Sequence, residues 1–172
     1  MKLSRPLLIA ASVLALAACG KKAPKELPPP PADTSAQTTG PAAPSGPVKG
    51  SQEDFVASVT SDRILFALDQ YDVDAQDQQI LQSQAAWLQQ NPNVRVTIEG
   101  HCDERGTREY NLALGARRAN AVKEFLVSQG VSTARVETIS YGKERPICTQ
   151  SDEACWAQNR RGTTTITGGA NS

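Results

Sequence analysis

Histidine is almost absent: His101 is the sole one in 172 residues, and no second pair of ligands stands at zinc spacing beside it. A zinc centre needs three or four such ligands, so no metal is expected, and no cofactor either. Charge of one sign is missing as well, with 18 Lys and Arg against 18 Asp and Glu. That balance gives neither the basic field that draws nucleic acid nor a broad attraction to membrane surfaces. The apolar run Leu7 to Leu16 is too short to span a bilayer as a mature helix, which takes about 20 residues. No internal repeat is apparent.

What is present begins with that run. Lys2 and Arg5 precede it and Ala17 and Ala18 follow, the pattern of a secretory leader over residues 1–18. Leu16-Ala17-Ala18-Cys19 resembles a bacterial lipobox, which implies cleavage before Cys19 and acylation of its thiol and new amino terminus. Several acyl chains anchor far better than one, since each buried methylene contributes about 0.8 kcal/mol. Gly20 stands where an aspartate would, by the same resemblance, favour the inner membrane. The outer membrane of a Gram-negative bacterium, with the domain in the periplasm, is the expected address.

Residues 19–50 read as a tether. Eight of the eleven prolines fall between residues 20 and 50, among Ala, Ser, Thr and Gly and without an aromatic residue. Such a segment cannot bury enough apolar surface to offset chain entropy. At about 3.1 Å per residue in polyproline form it reaches roughly 95 Å at most.

Residues 51–172 read as one domain with a single core. Arg63 to Leu68 is a short apolar run consistent with a strand. Asp74 and Asp77 open a helix that places Ile80, Leu81, Ala85 and Leu88 on one side and stops at Asn91-Pro92. Val94, Val96 and Ile98 alternate with polar residues as a half-buried strand. Asn111 to Gln129 is a helix with Leu112, Ala116, Ala119, Val122 and Leu126 as core stripe and Gly130 as its stop. Val136 to Tyr141 is a third strand, Ser151 to Asn159 a short helix, and Gly162 to Thr167 a last strand. Alternating helices and strands predict an α/β sandwich.

Between the second strand and the long helix lies Gly100-His101-Cys102-Asp103-Glu104-Arg105-Gly106-Thr107. An acidic loop joined to a helix that carries Arg118 can build a pocket of two signs, suited to a ligand with both an ammonium and a carboxylate. Asn111, Leu114 and Arg118 stand at i, i+3 and i+7 and share a face. A Cys/His nucleophile is not read from His101-Cys102, because working dyads assemble from distant segments. Cys102 reads as a buried thiol, and Cys148 with Cys155 as a disulfide in an oxidising compartment, although a pairing through Cys102 stays open. Trp87 and Trp156 read as packing residues, and Asn159-Arg160-Arg161 as a solvated basic turn.

These motifs, with Tyr110-Asn111, Leu114-Gly115, Arg117-Arg118-Ala119-Asn120-Ala121-Val122 and Ser140-Tyr141-Gly142-Lys143-Glu144, resemble the OmpA-like C-terminal domain family and, within it, the peptidoglycan-associated lipoproteins. The resemblance spans residues 60–167. It implies a β/α/β/α/β domain, helices packed on a small mixed sheet, without enzymatic activity. It also implies a noncovalent grip on the diaminopimelate of peptidoglycan stem peptides. Asp103 and Arg118 fall on the pair that holds the ligand's ammonium and carboxylate, Asn111 on the helix-starting asparagine, and Leu114 on the apolar residue beside the ligand. Phe66-Ala67-Leu68-Asp69 resembles a Phe-x-x-Asp that supplies a second carboxylate, Asp69; Ala67 replaces an aspartate of some members. The family places residues 159–161 near the cleft. Implied partners are peptidoglycan, TolB and the inner-membrane Tol proteins of the Tol-Pal system, which maintains the envelope and draws the outer membrane inward at division. A peptidoglycan-processing enzyme is the competing reading, against which the cleft motifs offer no zinc set and no triad. The pocket reading predicts that Arg118→Ala abolishes wall binding and leaves the fold intact.

Overall fold

A computed structural model describes residues 46–170. The leader, Cys19 and the tether up to residue 45 lie outside the described residues. Four helices and four strands follow in the order α1 (Gln52–Ser58), β1 (Arg63–Leu65), α2 (Ala75–Gln90), β2 (Arg95–His101), α3 (Arg108–Ser128), β3 (Val136–Gly142), α4 (Glu153–Asn159) and β4 (Arg161–Gly168). The sheet order is β1-β4-β2-β3, with β2 and β3 parallel and the other neighbours antiparallel. This is the helix-on-mixed-sheet sandwich that the alternation of elements and the family resemblance imply.

Each helix starts on a side-chain cap that satisfies one orphan N–H. Ser51, Asp74, Thr107 and Asp152 accept from the backbone N–H of Asp54, Asp77, Tyr110 and Cys155 respectively. The long helix α3 ends at Gly130, whose φ of +94° suits a residue without Cβ, and Val131 N–H bonds back to Leu126 C=O. On the sheet's inner face Ile64, Val96 and Ile98 meet Leu81, Leu88, Val122 and Leu126, all buried. Trp87 packs edge-on to Phe55 at 5.0 Å.

Three local expectations are corrected. First, β1 is three residues long instead of six. Phe66 still donates to Arg160 C=O, but Ala67 to Gln70 form a turn closed by Gln70 N–H to Ala67 C=O, with Asp69 at φ +57°. Second, α3 begins at Arg108, because Thr107 supplies a cap that hydrophobic spacing does not reveal. Third, its buried stripe is Asn111, Leu114, Gly115, Arg118, Ala119, Val122 and Leu126, while Leu112 and Ala116 are half-buried. The N-terminal half of the helix thus turns small and polar residues inward. Gly115 allows this: Gly100 of β2 lies against its backbone so closely that a Cβ on either glycine would overlap the opposing chain or Ser140.

Candidate ligand-binding site

That close contact brings the end of β2, the following loop and the first turns of α3 together at one edge of the sheet. There Asp69, Asp103, Asn111, Leu114 and Arg118 all line one pocket of about 320 Å³, with Leu68, Arg105, Tyr110 and Arg160 among its other walls. The 102–107 loop is clamped from several sides. Cys102 N–H donates to Gly142 C=O at 2.8 Å and its thiol to Asn111 C=O at 3.3 Å. Lys143 Nζ donates to the carbonyls of Glu104 and Gly106. Asn111 Nδ2 donates to those of Arg105 at 2.6 Å and Thr107 at 3.0 Å. Asn111 therefore fixes loop shape as well as facing the pocket.

Arg118 is fully buried. Its Nε donates to Gln70 C=O at 2.9 Å, Nη1 to His101 C=O at 2.8 Å and Nη2 to Ala67 C=O at 3.1 Å, while its Cζ lies 5.1 Å from the Phe66 ring. Burial pushes the guanidinium below its ordinary value, yet an arginine stays charged. No carboxylate stands within salt-bridge distance of it among the described residues. Of its five N–H groups, the three carbonyls take one on each nitrogen. One N–H on each terminal nitrogen is left for a ligand.

Asp103 is the opposite case. Burial alone would raise its carboxyl, but hydrogen bonds from Arg105, assisted by Arg160, hold it below the usual range. Oδ1 accepts Arg105 N–H and Nε, each at 3.1 Å, and Oδ2 accepts Arg105 Nη2 at 2.6 Å and Arg160 Nη1 at 3.3 Å. Asp69 has no Lys or Arg within salt-bridge distance among the described residues, although its charge is felt by Arg105 and Arg118; its Oδ1 accepts from Tyr110 Oη at 3.1 Å. Its left-handed backbone is one that aspartate tolerates better than most residues, and it aims the carboxylate at the pocket mouth from a turn whose carbonyls Arg118 holds.

Residues 159–161 are not a solvated turn. Arg160 is buried, donating from Nε to Phe66 C=O at 3.0 Å and from Nη2 to Glu153 at 2.7 Å. Arg161 reaches the Asn159 and Arg145 carbonyls, and Asn159 brackets Ile147 and Cys148. Trp156 is also corrected: half-buried, it donates to Glu104 at 2.9 Å and carries the Arg105 guanidinium 4.2 Å above its ring. Sequence reading passed over Arg105 and Tyr110 as pocket residues and set Arg160 near the cleft by resemblance alone; adjacent arginines in a polar run carry no signal of burial. The structure joins Cys148 to Cys155, which closes the loop ahead of α4. Cys102 is a free buried thiol in the pocket wall, and burial raises its pKa. His101 points away from this pocket. Among the described residues no cluster of His, Cys and acidic side chains could hold a metal, and no helix is long and apolar enough to cross a membrane.

A model of the OmpA family matches residues 65–160. A peptidoglycan-associated lipoprotein of Agrobacterium fabrum is 49% identical over 167 residues, covering 97% of this chain and 91% of that one. The crystal structure of the peptidoglycan-associated lipoprotein from Burkholderia pseudomallei aligns with a TM-score of 0.62 at 42% identity, over 66% of this chain and 100% of that one. The C-terminal domain of Helicobacter pylori MotB, at 21% identity and TM-score 0.58 over 62% and 84% of the two chains, shares the fold.

Proposed function

The chain belongs to the OmpA family and, within it, to the peptidoglycan-associated lipoproteins; from that premise we propose that it binds peptidoglycan noncovalently and ties the outer membrane to the cell wall. It is a binding protein and not an enzyme. Residues 1–18 direct export, Cys19 carries the lipid, residues 19–50 are the spacer, and residues 51–172 grip the wall. The ligand is the diaminopimelate of the stem peptides.

One observation carries this reading: among the described residues a single pocket presents a guanidinium, Arg118, with no carboxylate within salt-bridge distance and a carboxylate, Asp69, with no Lys or Arg within that distance. A zwitterionic amino-acid head group supplies both missing charges. Diaminopimelate brings a carboxylate and an ammonium on its side-chain end, whereas lysine brings the ammonium alone. Leaving a buried donor built for a carboxylate unpaired costs about 1 to 3 kcal/mol, so diaminopimelate walls should be preferred. Asp103 is the second acid of the site, Leu114 its apolar floor, and Asn111 the clamp of its loop. The wall-bound domain works with TolB and the inner-membrane Tol proteins in envelope integrity and in constriction at division.

The test is cosedimentation of the detergent-solubilised chain with isolated sacculi of diaminopimelate and lysine type. Selective pelleting with the former is expected. A folded chain that pellets with neither would overturn the reading.

A further inference from the structure

We infer that Arg105 is a latch of this site: its side chain covers Asp103, turns outward when a ligand ammonium reaches that carboxylate, and then takes a second carboxylate of the ligand. The inference rests on the diaminopimelate reading and adds a specificity residue to it.

A carboxylate offers about four lone-pair positions, and all four of Asp103 are occupied: three by Arg105 and one by Arg160. An ammonium can join Asp103 only by displacing a donor. Arg160 is the poor candidate, being 6% exposed and pinned at Nε by Phe66 C=O and at Nη2 by Glu153. The Arg105 side chain is 34% exposed, and while bonded to Asp103 it already lies 4.2 Å from the Trp156 ring centre and 3.8 Å from a Glu153 oxygen. Its main chain is held independently of the side chain, because Asn111 Nδ2 bonds Arg105 C=O and Lys143 bonds the carbonyls on either side. The side chain can therefore leave Asp103 about a fixed backbone while keeping the Trp156 face, on which its guanidinium already lies, as cation–π support.

Charge then dictates what the freed group takes. The pocket wall carries three guanidinium groups and two carboxylates. Arg118 meets one ligand carboxylate, Arg160 stays with Glu153, and Arg105 is left as a planar fork that matches a planar anion. The ligand that completes the site brings one ammonium and two carboxylates. A stem in which the residue next to diaminopimelate has a free carboxylate satisfies this; one in which that group is amidated does not.

The experiment is calorimetric titration of the full chain in detergent with two soluble stem peptides that differ only in whether that neighbouring carboxylate is free or amidated. For wild type a preference for the free acid on the order of tenfold is expected, the loss of one charge-assisted pair. Arg105→Gln should bind both peptides alike, and Arg105→Lys should recover part of the preference, an effect that merely loosening the loop would not produce. A wild type that does not distinguish the peptides, or an Arg105→Gln that still does, overturns the latch and leaves the site reading standing. Failure of folded wild type to bind either peptide overturns both.

Discussion

Replacing Arg118 with alanine should destabilise the domain severely as well as remove binding, contrary to an Arg118 that acts only on the ligand. The side chain is fully buried and joins three carbonyls, those of Ala67 and Gln70 in the turn after β1 and of His101 at the end of β2. Hydrogen bonds to a charged group contribute about 1.5 to 3 kcal/mol each. Three at the low end give roughly 4 kcal/mol, and the lost packing on Phe66 partly cancels the relief of no longer burying a guanidinium. Against a typical total of about 5 to 15 kcal/mol, the variant should still fold while losing a large share of its margin. Urea unfolding followed by tryptophan fluorescence measures this directly, since Trp87 is buried in the core and Trp156 is half-buried beside the pocket loop. An unfolding free energy within about 1 kcal/mol of wild type would refute the claim that Arg118 braces the 67–70 turn.

Gly100→Ala should prevent α3 from seating on β2, because the new methyl would fall on the Gly115 carbonyl; loss of the cooperative thermal transition is the expected readout. His101 is buried with no hydrogen bond to either ring nitrogen, and although a Glu99 carboxylate oxygen lies 3.4 Å from Nε2, burial followed by the fields of Arg161, Arg145 and Arg63 lowers its pKa from 6.5 to about 3. Between those values the unfolded chain binds the extra proton, so this contribution to stability is complete above pH 6.5 and fades as pH falls toward 3. Its span is up to about 4 to 5 kcal/mol, and His101→Gln should flatten that acid limb of the urea midpoint. Asp77 works in the other direction: burial and then Asp74 raise it from 3.8 to about 6, so the folded chain holds the extra proton and stability falls as pH rises through that window. Asp77→Asn should raise stability in neutral buffer, read as a higher urea midpoint, and leave it unchanged below pH 4.

Local signals carried much of the fold. Asp74 caps α2 and Asn91-Pro92 ends it because capping and proline geometry act within a few residues, and Val94, Val96 and Ile98 reveal β2 through simple alternation. The pocket residues Asp69, Asp103, Asn111, Leu114 and Arg118 were reached through the family resemblance, spacing alone placing only Asn111, Leu114 and Arg118 on one face. Partnership was not: nothing in the sequence distinguishes an Asp103 closed by Arg105 and Arg160 from an open one, since Arg160 arrives from 57 residues away. The core stripe of α3 was misplaced for a related reason. Hydrophobic periodicity assumes that apolar side chains face inward, whereas Gly115 and Arg118 do so here, the first for lack of a side chain and the second because three carbonyls receive it.

The most direct measurement is calorimetric titration of the full chain, wild type and Asp69→Asn, with soluble diaminopimelate and lysine stem peptides. Asparagine tolerates the left-handed backbone at this position and can keep the Tyr110 contact, so melting should not change. Wild type should bind the diaminopimelate peptide at least about tenfold more tightly than the lysine peptide, and Asp69→Asn should lose on the order of tenfold, the loss of one charge-assisted pair in each case. Equal binding of the two peptides by wild type, or wild-type affinity in folded Asp69→Asn, would contradict the two-charge pocket.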